Sequence, residues 1–309
     1  MPIDLPSHSR TPIAALVSCY LPTLNEGLDD IEKLLILKKQ LESPSLLRKI
    51  DFANCEALGP TAISVLAGII RDLESRGRPV IIDWKSLNSK LQNEFNQNGF
   101  SHFFKRSSSR ITKHHIPFRE DIPRAYNADA IFNHLFDEFL NKNWINFSEE
   151  LKSKIAGTIW EIFTNSFEHS NSQVGVFSCG QHYMKKNEVI LSVVDFGVGI
   201  PDKVRRHFST ADDRYTQLND SNCLQWAFKP GNSTDRSVPR GLGLDLLREF
   251  VYINKGALEL RSGAGYVKAD DKGLHYDECA SFFPGTCVQL KMMCDGRYYR
   301  FKSENDTPS

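Results

Sequence analysis

Three observations predict an α/β fold in two parts. The chain has 309 residues, and at roughly 100–200 residues per domain that leaves room for about two. Between residues 46 and 104, short apolar strand candidates alternate with helix-period segments. From about residue 125 a second series follows, with long helical stripes and apolar strands at 189–194 and 285–290. The expected division is a first domain over 1–104, a basic linker over 105–124, a second domain over 125–295 and a polar tail over 296–309.

The elements follow in order. Residues 28–41 read as a helix with an acidic start, Asp29-Asp30, and a basic end, Lys38-Lys39, which suits the helix dipole. Residues 46–52 form a short strand. Gly59-Pro60 opens a helix, since proline is tolerated in a first turn. Its core face is Ile63, Leu66, Ala67, Ile70 and Leu73, spaced by three and four, and Gly77 ends it. The β-branched run 79–84 is a strand, and 87–96 is a helix stopped near Gly99. Further on, Ile131, Leu135, Phe139 and Leu140 make one helical stripe. Ser148 before Glu149-Glu150 marks the start of a long helix. The last residues, 303–309, are polar and expected to fray.

Composition narrows the function. Lys+Arg and Asp+Glu both number 38, so formal net charge is zero, which argues against a polycation that coats nucleic acid. Hydrophobic residues at 40% and charged residues at 25% are ordinary globular usage. No apolar run has the ~18–20 residues that span a bilayer, and the first ten residues do not read as a secretory signal. The seven cysteines, Cys19, Cys55, Cys179, Cys223, Cys279, Cys287 and Cys294, include no CxxC pair. Free thiols in a reducing cytoplasm are therefore expected, not a zinc site or a disulfide framework.

Residues 101–119 carry Lys105, Arg106, Arg110, Lys113 and Arg119 with His114 and His115, and no acid. Such a stretch is a solvated linker or edge hairpin, or else a local contact for phosphate or an acidic partner.

The chemistry gathers later in the chain. In the helix from Glu149, the packed face is Leu151, Ile155, Ile159, Ile162, Phe163 and Ser166. Glu161, Asn165 and His169 are spaced by four and stack on an adjacent face. Alone, that stripe suits a solvated face equally well. The strand at 189–194 runs into Asp195-Phe196-Gly197-Val198-Gly199-Ile200-Pro201. An acid at a strand end, before two glycines, lets backbone approach a flat ligand. Its carboxylate can accept from an exocyclic amine such as adenine N6, and it rejects guanine, which offers an oxygen there. Arg240-Gly241-Leu242-Gly243-Leu244 then opens a helix with Leu244, Leu246, Leu247, Phe250 and Val251 as its core face, ending near Lys255-Gly256. Glycines at a helix N-terminus expose amides at the positive end of the dipole, a seat for phosphate.

These three elements, in this order over residues 125–295, resemble the GHKL ATP-binding family, which includes DNA gyrase and bacterial sensor histidine kinases. WEIFTNSFEHS resembles its N box, DFGVGI its first glycine box, RGLGL its second, and GTCVQL its closing strand. The resemblance implies a Bergerat-type α/β sandwich with a mixed sheet. It implies ATP bound with Mg²⁺, Asn165 as the metal ligand and Glu161 as the acid that orients or deprotonates the attacking water or hydroxyl. It further implies Asp195 as the adenine reader, Gly197 and Gly199 shaping the base pocket, and Gly241 and Gly243 on the phosphates. His169 matches a basic position near the phosphates, or is a helix-end histidine on the dipole. The segment between Pro201 and Arg240 would be the ATP lid, with Lys203, Arg205, Arg206, Arg214, Lys229, Arg236 and Arg240. Lys229 and Arg240 flank its turns and are the favoured γ-phosphate contacts.

Residues 46–104 resemble the STAS fold of anti-sigma-factor antagonists. The turn that carries the phosphoacceptor serine in that family reads Gly59-Pro60-Thr61-Ala62 here. Pro60 stands at the acceptor position and has no hydroxyl. Thr61 beside it reads as a helix residue.

The expected protein is a cytoplasmic, bacterial-type signalling regulator. A GHKL ATPase or serine/threonine kinase-like module would cleave the γ-phosphate, passing it to water or a protein hydroxyl. The fused STAS-like module would engage a protein partner, and a homodimer is allowed. Membrane and nucleic-acid partners are not expected. The alternative is a non-catalytic module in which ATP switches a lid or dimer. A histidine autokinase is disfavoured, since His114-His115 lies outside any coiled-coil pattern. A gyrase-like machine is disfavoured because no transducer follows Leu290.

Overall fold

Two sheets and the helix between them organise the chain. The structure is a computed structural model and describes residues 16–25, 27–43, 47–122, 125–208, 217–229, 231–232 and 242–305. In chain order the first elements are β1 (Leu16–Tyr20), α1 (Ile31–Leu41), β2 (Leu47–Asp51), α2 (Pro60–Ser75), β3 (Val80–Ile82), α3 (Ser89–Gln97) and α4 (Phe100–Lys105). Next come β4 (His115–Asp121), α5 (Ala128–Glu138), β5 (Asn146–Phe147), α6 (Glu149–His169), β6 (Val176–Tyr183) and β7 (Glu188–Asp195). The chain continues through α7 (Gly199–Phe208), α8 (Asp220–Ala227), α9 (Leu242–Asn254), β8 (Ala257–Asp270), β9 (Gly273–Met293) and β10 (Tyr298–Tyr299). The mixed α/β class is as the sequence predicts. Among the described residues no helix is long and apolar enough to cross a membrane.

β1, β2 and β3 form a parallel sheet in that order, with Leu16 opposite Leu47 and Ile50 opposite Ile82. The larger sheet runs β4-β6-β7-β9-β8. Every one of its pairings is antiparallel, which corrects the expected mixed sheet. Its strands β6–β7 and β8–β9 are hairpins, and no helical crossover returns a parallel strand beside its predecessor, as a parallel pair requires. A small parallel pair, β5 with β10, closes the C-terminal end.

α2 begins as read: Gly59 is the extended N-cap and Pro60 opens the first turn. Its burial is unbroken from Pro60 to Ile70, so it has two covered faces, not one. The face with Ile63, Leu66, Ile70 and Leu73 belongs to the apolar core with β2, α1 and α3. The stripe Thr61, Ser64, Gly68 and Arg71, spaced by three and four, meets the larger sheet. Thr61 Oγ1 donates to Gln289 Oε1 at 2.6 Å, and the Ser64 and Ser192 hydroxyls lie 2.8 Å apart. Arg71 holds Glu120 with two bonds, at 2.6 and 2.8 Å.

The larger sheet is therefore buried on both sides. Leu191, Val193, Val288 and Leu290 pack under α6 and α9 with Ile155, Ile159, Phe163 and Leu247. Their alternates Val194 and Cys287, with Phe177 and Cys179, join the core that contains α2. At the edge of this core, Arg261 on β8 is 2% exposed and reaches Glu32 of α1 at 2.5 Å and the Ser281 carbonyl at 2.7 Å. The Glu32 carboxyl would be pushed up by burial, but hydrogen bonds from Ser281 and Arg261 outweigh that and hold it low.

Two expectations change with this packing. Within the basic stretch 105–124, residues 115–121 are the edge strand β4, paired to β6. α4, just before it, inserts Phe100 and Phe104 as a stacked pair, with ring centroids 4.4 Å apart, beside Phe118. The apolar residues interleaved with the cations secure what their charge marks as a linker. The C-terminal stretch is likewise packed as far as it is described. Tyr299 is buried, and Glu304 accepts from the Ser148 hydroxyl at 2.9 Å. Cys19, Cys55, Cys179, Cys223 and Cys287 are buried free thiols.

Candidate functional site

α6 places the first residues. Ser148 caps it, accepting from the Leu151 amide at 3.2 Å, and Leu151, Ile155, Ile159, Ile162, Phe163 and Ser166 are all buried. That fixes the helix rotation. Glu161 is half-buried and Asn165 exposed, one turn on and about 6 Å along the axis. His169 is the last residue of α6, and its side chain lies outside the described residues.

β7 delivers Asp195. All eight residues of this strand are buried between β6 and β9, and Asp195 stands opposite Thr286. The carboxylate is 2% exposed. Its Oδ1 accepts from the Gly197 amide at 3.0 Å and its Oδ2 from the Ser166 hydroxyl at 3.1 Å. Ser166 directly follows Asn165, so this bond ties the helix that carries the stripe to the acid at the strand end. Burial pushes the Asp195 carboxyl up to about 6, against the opposing pull of Lys203, Ser166 and the backbone of Gly197 and Thr286. Lys203 on α7 is pushed down to about 8 by its own burial, with Asp195 opposing.

The glycine loop is clamped by protein. The Val198 amide donates to the Ser170 carbonyl at 2.7 Å, and a Cβ on Gly197 would stand 2.1 Å from that same oxygen. Gly199 has φ +75°, and a Cβ there would stand 2.7 Å from the Ser262 hydroxyl, which receives the Ile200 amide at 2.9 Å. The sequence reading gave these glycines to a close-lying ligand. In the fold the space they leave is taken by Ser170 and Ser262.

The expected lid residues divide. Arg240 and Gly241 lie outside the described residues, as do Arg214 and Arg236. Gly243 is in the first turn of α9. Lys229 is exposed just beyond α8. Arg205 is held inside the protein by the Leu218 carbonyl, at 3.0 and 2.9 Å, and by an ion pair with Asp220. Arg206 lies 3.6 Å from Asp202.

Sequence reasoning missed Ser166, Ser170 and Ser262 as site-shaping groups. Ser166 carried a signal, a hydroxyl on an otherwise apolar helix face. Ser262 carried none, because only β8's pairing brings it to the loop. Among the described residues no cluster of three or more His, Cys, Asp or Glu could hold a metal ion. A lone amide oxygen such as that of Asn165 still fits Mg²⁺ that keeps its waters and phosphate ligands. A cavity of about 880 Å³, lined by Phe250, Ile253, Leu274 and Phe301, opens beside Leu151. That is about 22 Å along α6 from Ser166, so it is separate from the Asp195 site.

The chain matches no protein-family profile and no curated protein.

Proposed function

We propose that this chain is a GHKL-type ATP·Mg²⁺-binding regulator that cleaves the γ-phosphate, fused to a STAS-like interaction module. The observation that carries the reading is Asp195, a buried carboxylate tied at 3.1 Å to the helix of Glu161 and Asn165 and at 3.0 Å to the glycine loop. Adenine N6 would donate to it, and a guanine oxygen would repel it. Asn165 would supply one oxygen to Mg²⁺, which when bound neutralises phosphate charge. Glu161, one turn back, would orient or deprotonate the attacking hydroxyl or water.

The parallel β1-β2-β3 sheet with α2 opened at Gly59-Pro60 supports the STAS-like reading of the first part. The Thr61 hydroxyl is buried under the larger sheet and donates to Gln289 at 2.6 Å, so the turn offers no free hydroxyl for phosphorylation. The module is held in cis through that turn, and a protein partner would use another face.

The test is nucleotide titration of the full chain with ATP and GTP, with and without Mg²⁺, followed by phosphate release. ATP preference with release that Glu161→Ala abolishes supports the proposal. ATP binding without release or phosphotransfer leaves the non-catalytic switch as the function. Absence of nucleotide binding overturns the reading.

A further inference from the structure

Phe196 lies between the two groups of the candidate site, Asp195 and Gly197, yet its ring points away from them into the core shared with α2. It is 8% exposed and packs on Phe283, with centroids 5.5 Å apart. Its ring also covers the backbone of α2. A Cβ on Gly68 would stand 2.1 Å from Phe196 Cε2 and 2.5 Å from Cδ2. Residue 68 thus has no side chain because the ring occupies the space.

We propose that α2 is a positioning element for the candidate nucleotide site, with Gly68 setting where Phe196 sits and so holding the Asp195–Gly199 loop. This rests on the reading of Asp195 as the adenine acceptor. α2 cannot retreat to relieve pressure on the ring. Within the two turns before Gly68 it is bonded by Ser64 to Ser192 on β7 and by Thr61 to Gln289 on β9. These are the strands that carry Asp195 and its register partner Thr286. A shift of Phe196 must therefore be taken up by its own backbone, whose carbonyl carbon is bonded to the Gly197 nitrogen, the amide that donates to Asp195 Oδ1. By linkage, a ligand that orders the loop tightens the docking of α2 by the same factor.

The experiment uses the full chain as wild type, Gly68→Ala, Gly68→Ala/Phe196→Leu and Thr61→Val. The readouts are hydrogen exchange at the amides of 196–198 and ATP·Mg²⁺ affinity. Alanine is a better helix former than glycine, so Gly68→Ala does not weaken α2 itself. It is expected to speed exchange at 196–198 and weaken ATP at least about fivefold, the lower end of ordinary coupling. The smaller side chain introduced by Phe196→Leu is expected to restore both. Thr61→Val loosens α2 without crowding the ring and is expected to act in the same direction, which covers the case where Gly68→Ala fails to fold. Unchanged exchange and affinity in the folded variants overturn the proposal. If wild type binds no ATP, the adenine reading falls separately. Exchange then decides alone: faster exchange keeps the positioning role, and unchanged exchange ends it.

Discussion

The Thr61 hydroxyl donates to Gln289 Oε1 across 2.6 Å, a buried bond between residues 228 positions apart. It fastens the first turn of α2 to β9, an interior strand of the larger sheet. Thr61→Val would leave the Gln289 oxygen buried without this donor, at a cost of about 1–3 kcal/mol. Urea denaturation reads that loss. Removing both hydroxyls of the neighbouring pair, Ser64→Ala with Ser192→Ala, should cost less than the two single changes summed, since neither partner is then stranded.

The core that α2 shares with β6, β7 and β9 predicts joint unfolding. Thermal or urea unfolding should show one transition, with circular dichroism and tryptophan fluorescence coincident. Two separated transitions would mean that the N-terminal part is a tethered, independent body.

Asp195 makes stability depend on pH, and under the proposed function ATP affinity should depend on pH in the opposite sense. Its carboxyl is raised from 3.8 to about 6 in the fold, so the folded state holds an extra proton between about pH 4 and 6. The stabilisation is full below pH 4 and is lost as pH rises through 6, by about 3 kcal/mol. Asp195→Asn should flatten that dependence and raise the melting temperature at pH 7.5. On the proposed reading the same change would remove the acceptor for adenine N6, so ATP affinity should fall. In wild type, ATP affinity should weaken below about pH 6, where the carboxylate is protonated. Calorimetric titration across pH 5–8 reads both effects.

Glu161 and Asn165 should separate kinetically. Glu161→Gln is expected to reduce phosphate release by about 10²–10⁴-fold, the range for a lost general base, while ATP binding persists. Asn165→Ala should abolish the gain in ATP affinity that Mg²⁺ confers, with Mg²⁺-free binding unchanged. A Mg²⁺ titration identical to wild type would remove Asn165 from the metal site.

Much of the fold was legible because local rules sufficed. Gly59-Pro60 opened α2 and Ser148 capped α6. The apolar stripe of α6 fixed which of its residues are buried, and with them the exposure of Asn165 beside Ser166. One global clue was also present. The run 189–194 is nearly continuously apolar, which in an antiparallel strand signals that both sheet faces are covered. It did not say by what.

The sequence by itself determined α1, α2, α3, α6 and α9, the strands β2, β3 and β7, the buried and open faces of α6, and the chemical types available at Glu161, Asn165 and Asp195. Only the tertiary structure decided that the small and polar stripe Thr61, Ser64, Gly68 and Arg71 is an interior face. By periodicity alone such a stripe belongs to solvent. Its burial depends on partners 49 to 228 residues away, Glu120, Ser192 and Gln289, and on a ring that fits only where residue 68 lacks a side chain. Hydrogen-bond complementarity and steric fit between distant segments leave no periodic trace in either segment.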